Sequence, residues 1–247
     1  NGVAAPMHRP FAVPAGGRLR FGARRAGTRA TLAVQGGFDL PLTFASRATS
    51  LVSRMGPFGG RPLARGDRLE IGEHRSPFGP LTRAAGPPAL GEVSGVRAPG
   101  DAQQVGDPVP DSEGARLRVL LGPHDAMFTA AAVEALFTTR FTITPQSNRM
   151  GYRLDGARLD HAGVADILSD ATPMGSLQVP ASGHPILLMA DRQTTGGYPK
   201  IATVISADLP LAGQLAPGDW IEFVPCTHSA ALDALRDREA ALARFTT

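Results

Sequence analysis

With 247 residues, 43% of them apolar, the chain can bury a substantial core as one large domain or two of ordinary size. Glycine (29) and proline (22) are abundant but aperiodic, which excludes a collagen-like chain, and no run approaches the ~18 apolar residues of a membrane-spanning helix. The single cysteine, Cys226, excludes an internally stapled scaffold, and a formal charge of +3 spread over dispersed arginines argues against a nucleic-acid surface, so a cytoplasmic globular protein is expected.

In chain order, residues from Phe11 to Ile71 read as β structure. Short apolar runs, Thr31–Val34 and Arg68–Ile71, lie between Gly, Pro and Asp turns. From His74 to Gly114 the composition changes to Pro, Gly and acids with few large apolar residues, the signature of a linker or long surface excursion. Regular structure resumes at Arg116–Leu121, an alternating strand. Thr129 is placed to cap a helix over Ala130–Thr138, with Val133, Leu136 and Phe137 on one face. Strand-like runs follow at Pro185–Ala190, Ile201–Ser206 and Trp220–Val224. Ser229 opens a last helix carrying a stripe of Leu232, Leu235, Leu242 and Phe245, expected first of all to pack on its own barrel.

An internal repeat constrains the fold further. Asp39-Leu-Pro-Leu42 recurs as Asp208-Leu-Pro-Leu211, and Leu63–Ile71 recurs as Leu215–Phe223, with a longer interval between the motifs in the first copy. In each copy an apolar run precedes the Asp-Leu-Pro-Leu, and the Gly-Asp turn feeds an alternating run. This predicts a mainly β protein of two related barrel-like domains in tandem with a few short helices.

The least ordinary segment is Ala190–Lys200, Ala-Asp-Arg-Gln-Thr-Thr-Gly-Gly-Tyr-Pro-Lys. It joins two apolar strands, so it reads as a long hairpin tip. Closure alone does not need a guanidinium, an amide, two hydroxyls, a phenol and paired glycines. Arg192 can grip a carboxylate or phosphate in bidentate fashion, and Gln193, Thr194 and Thr195 can pair with an amide. Lys200, the one lysine among 25 basic residues, closes the segment. A second polar constellation, Thr144–Arg153, offers Gln146, Ser147 and Arg149; a third, Ser169–Pro180, offers Gln178. Solvated turns are the plain alternative for each.

Several chemistries are missing. No Gly-x-x-x-x-Gly-Lys-Ser/Thr loop and no Gly-x-Ser-x-Gly elbow is present. The six histidines lack ligand spacing, so no metal site is expected.

The stretch Asp191–Ala202, with Pro145–Arg153 and Gly175–Pro180, resembles the family of the 5-oxoprolinase C subunit. That family includes KipA and the carboxyltransferase domain of urea carboxylase, and is often labelled allophanate hydrolase subunit 2. The resemblance implies two cyclophilin-like barrels. Residues 1–73 would be the C-terminal part of the first, its N-terminal part lying ahead of Asn1. Residues 74–114 would be the linker, and 115–247 the second barrel with its helix. It also implies an ATP-dependent opening of the 5-oxoproline lactam to glutamate, carried out with the 5-oxoprolinase A subunit and its KipI-like B subunit. In that reading Arg149 and Arg192 hold a carboxylate or phosphoryl group, and Gln146 and Gln193 pair with the amide. Asp191 orients the cluster or shuttles a proton, and Lys200 neutralises developing charge. Ser147, Gln178, Thr194, Thr195 and Tyr198 complete the expected substrate contacts. Two alternatives stay open: carboxyl transfer from biotin to a urea-type amide, and a non-catalytic regulator that binds its partner subunit. Amidase-type hydrolysis is disfavoured, because no serine nucleophile accompanies Lys200.

Overall fold

The computed structural model of the chain describes residues 4–5, 11–73 and 114–243. The Pro/Gly-rich excursion expected over 74–114 therefore lies, Gly114 apart, outside the described residues, as does Phe245 of the C-terminal stripe. The chain divides into two compact units, Asn1–Arg29 with Pro99–Thr247, and Ala30–Ala98.

The first unit is a closed seven-stranded barrel. Its elements are β1 (Gly114–Leu121), α1 (Ala130–Thr138), β2 (Arg140–Ile143), β3 (Gly151–Asp155), β4 (Asp170–Ala171), β5 (Ser176–Gln178), β6 (Ile186–Leu188), β7 (Thr195–Gly196), β8 (Lys200–Val204), α2 (Leu209–Ala212), β9 (Trp220–Pro225) and α3 (His228–Ala243). The barrel order is β1-β8-β5-β6-β3-β2-β9, closed by parallel pairing of β9 with β1; β4 and β7 form a separate two-stranded ribbon. Closure leaves no sheet edge to protect.

Period-two alternation explains which side chains fill it. Ala115, Leu117 and Val119 of β1 point inward, and Phe141, Ile143, Leu154, Leu177, Leu187, Ile221 and Phe223 meet them. Phe141 and Phe223 are tilted 52° to each other with centroids 5.7 Å apart. Each such side chain contributes about 1.5–3 kcal/mol by leaving water. Helix α1 forms as its sequence requires. The Thr129 hydroxyl accepts from the Ala132 N–H at 3.1 Å, and Leu136, with Val133 and Phe137 beside it, packs on the core. Residues 24–29, grouped with 1–73 in the sequence reading, bond within this unit. Arg24 Nη2 reaches Asp219 Oδ2 at 2.6 Å, and the N–H groups of Thr28 and Arg29 both donate to Gln214 Oε1.

The last helix differs from expectation. It starts at His228 with Thr227 as its cap, and none of its described residues is buried. Leu232 and Leu242 are 52% and 45% exposed, so the stripe is not part of the barrel core.

The described residues of the second unit, 30–73, form no strand. Three isolated bridges (Phe38 with Ile71, Thr43 with Ser46, Ser50 with Met55) and a short 3-10 turn at Pro57–Gly60 are its regular structure. The strands expected at Thr31–Val34 and Arg68–Ile71 are absent apart from the single Ile71 bridge, and a second closed barrel is not made by these residues. Among the described residues the fold is thus mainly β, with one closed barrel and three α-helices. The repeat nonetheless survives at its turns. Asp67 Oδ2 accepts from the Ala64 N–H at 2.6 Å, and Asp219 Oδ2 accepts from the Ala216 N–H at 2.8 Å. The glycines before them adopt φ of 94° and 93°, in the region that favours glycine.

Candidate functional site

The segment read as a hairpin tip is a crossover. Strands β6 and β8 each pair antiparallel with β5, so they run parallel to one another with β5 between them. Parallel strands cannot be joined by a tight turn, and residues 189–199 must return along β5. That requirement explains a length no hairpin needs. On the way the loop forms β7, which pairs with β4 through Asp170 opposite Gly196 and Ala171 opposite Thr195. Leu177 of β5 faces the barrel interior, so Gln178 faces the other way, yet all three β5 residues are buried. The β4–β7 ribbon covers them: a Cβ on Gly196 would lie 2.6 Å from Gln178 Nε2, so any other residue there would have to push the Gln178 amide aside.

Hydrogen bonds hold the ribbon down. The Thr172 N–H donates to Thr194 O at 2.9 Å, its hydroxyl donates to Gln193 O, and Arg192 Nε donates to Thr172 O at 2.7 Å. Ile167 N–H donates to Gly197 O at 2.9 Å. Beneath, Gln178 Nε2 donates to Tyr198 O and Gln178 Oε1 accepts from Gln193 Nε2, both at 3.4 Å.

Lys200 enters this face because of a β-bulge. Leu177 pairs with Ala202 but Gln178 pairs with Lys200, leaving Ile201 as the extra residue. The bulge reverses the alternation and turns Lys200 to the side of Gln178. Its side chain is 2% exposed, with Nζ 2.7 Å from Asp170 Oδ2 and 2.9 Å from Ala171 O. The Lys200 hydrogen bond, with one from the Ala171 N–H, holds the Asp170 carboxyl below its ordinary range; the Lys200 and His124 charges act in the same direction. His124 sits alongside, its Nδ1 accepting from the Lys200 N–H at 3.3 Å. Gly122 permits this approach, since a Cβ there would meet Lys200 O at 2.2 Å.

At the start of the crossover, Arg149 grips Asp191 twice, Nε to Oδ2 at 2.7 Å and Nη2 to Oδ1 at 3.1 Å. The Asp191 N–H also donates to Arg149 O at 2.9 Å. The guanidinium pushes the Asp191 carboxyl below its ordinary range. Asp191 is therefore an ionised orienting group near neutral pH, poorly suited to carrying a proton, and Arg149 has one terminal nitrogen left for a ligand.

Of the expected site residues, the crossover brings together Gln178, Asp191, Arg192, Gln193, Thr194, Thr195, Tyr198 and Lys200, with Arg149 at its edge. Their exposure divides them. Gln178 and Lys200 lie under the ribbon, whereas Gln193, Thr194, Thr195 and Tyr198 are exposed and Arg192 is half-buried. Arg192 spends only Nε on the protein, so both terminal nitrogens remain available. The Ser147 hydroxyl closes its own turn, accepting from the Arg153 N–H at 2.9 Å. Gln146 lines a separate groove of about 290 Å³, to which none of the ribbon residues contributes.

Sequence reasoning passed over His124 and Thr172 and gave Asp170 little weight. His124 and Asp170 are far from Lys200 in the chain, and no local motif joins them. Only the strand order puts them together. A metal is a poor fit, since among the described residues no group of three or more His, Cys, Asp or Glu could hold one.

Known proteins share this architecture. Over 225 residues the chain is 37% identical to the C subunit of 5-oxoprolinase from Escherichia coli, covering 91% of this chain and 65% of that protein. It thus spans somewhat less than two thirds of that relative's length. It is 30% identical to a urea amidolyase of Lachancea kluyveri over 98% of this chain and 13% of the larger protein. The crystal structure of K. lactis urea amidolyase superposes with a TM-score of 0.64 at 25% identity, covering 86% of this chain and 13% of that one. The model of the carboxyltransferase domain, subdomains A and B, matches residues 1–225, and the chain belongs to that family.

Proposed function

We propose that this chain is the substrate-holding subunit of an ATP-dependent enzyme that opens the 5-oxoproline lactam to glutamate, working in the cytoplasm with the 5-oxoprolinase A subunit and its KipI-like B subunit. The observation that carries the reading is the ribbon, which presents a guanidinium with two free ends beside an amide, two hydroxyls and a phenol. The substrate is a small ring with one carboxylate and one amide. Arg192 would take the carboxylate in bidentate fashion, and Gln193, Thr194, Thr195 and Tyr198 would pair with the lactam N–H and carbonyl. Arg149, steered by Asp191, would add its remaining nitrogen to the same anion. Lys200, Asp170 and Gln178 would keep the ribbon at its height above β5, with Lys200 the nearest buried cation to any charge developing there. The naming of a relative at 37% identity as the C subunit of 5-oxoprolinase supports the same substrate.

ATP would supply the activation that a resonance-stabilised amide needs. The long helices here do not fit its phosphates. One first-turn amide of each of α1 and α3 already donates to the chain's own Thr129 or Thr227 hydroxyl, and no glycine-rich turn precedes either helix. In this reading the nucleotide binds a partner subunit. The test is 5-oxoproline-dependent ATP hydrolysis by the assembled subunits. Activity only when this chain is present supports the reading, and full activity without it refutes the reading.

A second reading is favoured by the family match and the urea amidolyase superposition: carboxyl transfer to a urea-type amide, with biotin supplied by another domain. Urea-dependent turnover blocked by avidin would select it. A purely regulatory, KipA-like binder would bind its partner subunit equally well after Arg149 and Arg192 are both neutralised.

A further inference from the structure

The groove that holds Gln146 has a chemistry of its own. It lies beside β3 and the start of β6, next to the turn after β2, and is walled by Thr144, Gln146, Arg153, Asp155, Ser182 and His184, with two prolines and Ile186 among its apolar residues. Its volume of about 290 Å³ suits a small metabolite. Arg153 and Asp155 are two residues apart on β3, so both project outward, about 7 Å apart along the strand.

Neither side chain has an ion-pair partner among the described residues. Elsewhere on the barrel surface opposite charges this close find each other. Arg116 and Arg140 share Glu222, and Arg158 pairs with Asp160 two residues on. Between Arg153 and Asp155 no such bond is made. A free guanidinium and a free carboxylate on one groove call for a ligand that carries both charges.

We propose that this groove binds a free α-amino acid as its zwitterion, the carboxylate on Arg153 and the ammonium on Asp155. Gln146 and His184 face the side chain. A ligand with only one of the two charges leaves the opposite protein charge unanswered. The choice of glutamate as first probe rests on the lactam-opening reading, since glutamate is the product of that reaction. The site itself does not rest on it.

The experiment is titration calorimetry of the full chain, with no ATP and no partner, against L-glutamate, L-alanine, glutarate and ethylamine. The two amino acids are expected to bind about tenfold or more tightly than glutarate or ethylamine, the size of one lost charge-assisted hydrogen bond. Arg153→Gln and Asp155→Asn should each weaken the amino acids by a similar factor, and an unchanged circular dichroism melt shows that both exposed positions leave the fold intact. Equal binding of glutarate and glutamate, binding indifferent to both substitutions, or no binding of either amino acid would overturn the site. Because the readout needs no turnover, it can fail while 5-oxoproline-dependent ATP hydrolysis persists. Binding of L-alanine without that hydrolysis would separate the groove from the lactam-opening reading.

Discussion

The two copies of the repeat are built from the same words and end differently. Around Asp219 the turn feeds β9, which pairs on both sides, with β1 and with β2. Around Asp67 the same turn forms, with the same aspartate-to-amide bond and the same glycine dihedral, but the run after it makes one bridge. The Asp-Leu-Pro-Leu motif diverges similarly. Asp208 takes three hydrogen bonds from Arg118 and starts α2, while Asp39 has one pairing with Arg47 at 3.4 Å. Turns are decided by a few adjacent residues. Strands are decided by whether a neighbouring strand exists to accept their hydrogen bonds and cover their apolar face.

The strongest test of that contrast is in the side chains. Phe141 is fully buried and Phe44 is 86% exposed. Phe141→Ala should cost about 3–5 kcal/mol in urea unfolding, and Phe44→Ala should stay within about 0.5 kcal/mol. A large loss at Phe44 would show that residues 30–73 bury it in solution and would break the comparison. The aspartates come next. Asp208→Ala strands Arg118 and should cost about 2–3 kcal/mol, whereas Asp39→Ala, in an exposed pair, should cost less than about 0.5 kcal/mol by the same measurement.

Local features of the fold are legible in the residues, and non-local ones are not. Thr129 with Val133, Leu136 and Phe137 announces α1 to the residue, because a cap and a helical stripe are local. The alternation in Arg116–Leu121 and Trp220–Val224 likewise marks β1 and β9. Strand β5 carries no such mark. Ser176, Leu177 and Gln178 are only three residues, and all three are buried although two are polar, so neither length nor a solvent-facing polar side marks a strand. Without β5 the crossover reads as a hairpin, since two apolar strands with a loop between them look like neighbours. The polar inventory of residues 191–200 gathers on one crossover beside β5. Its division into a buried layer of Gln178 and Lys200 and an exposed layer around Arg192 depends on the bulge at Ile201, which no spacing in the sequence reveals.

Within the barrel, the ribbon should be the looser part. Replacing Lys200 by Met removes the cation that ties Asp170 and the Ala171 carbonyl beneath the ribbon. Hydrogen exchange at the Ile167 and Thr172 amides should then speed up about tenfold or more, with the Leu154 amide of β3 unchanged. Equal acceleration at all three would mean that Lys200 supports the barrel as a whole.

The smallest effects are electrostatic. Asp67 titrates at about 2, held down by the Arg61 hydrogen bonds and then by the Ala64 amide. Asp170 and Asp191 are also lowered, by Lys200 and Arg149. A depressed carboxyl stabilises the fold fully above its unfolded value near 3.9, and that contribution is lost as pH falls through the folded value. Carboxyl carbon shifts followed from pH 6 to 1.5 should show all three midpoints below that of a free aspartate. An ordinary midpoint at Asp170 would mean that the Lys200 pair does not persist in solution.

In the proposed reading Arg192 on the ribbon grips the substrate's carboxylate. Steady-state kinetics of the assembled complex test this, wild type against Arg192→Gln, on 5-oxoproline and on 2-pyrrolidone, the same lactam without the carboxylate. The predicted result is a loss of kcat/KM on 5-oxoproline of about tenfold to a hundredfold, as expected for a charge-assisted bidentate contact, and little change on 2-pyrrolidone. Equal kcat/KM on 5-oxoproline for the two proteins would contradict it.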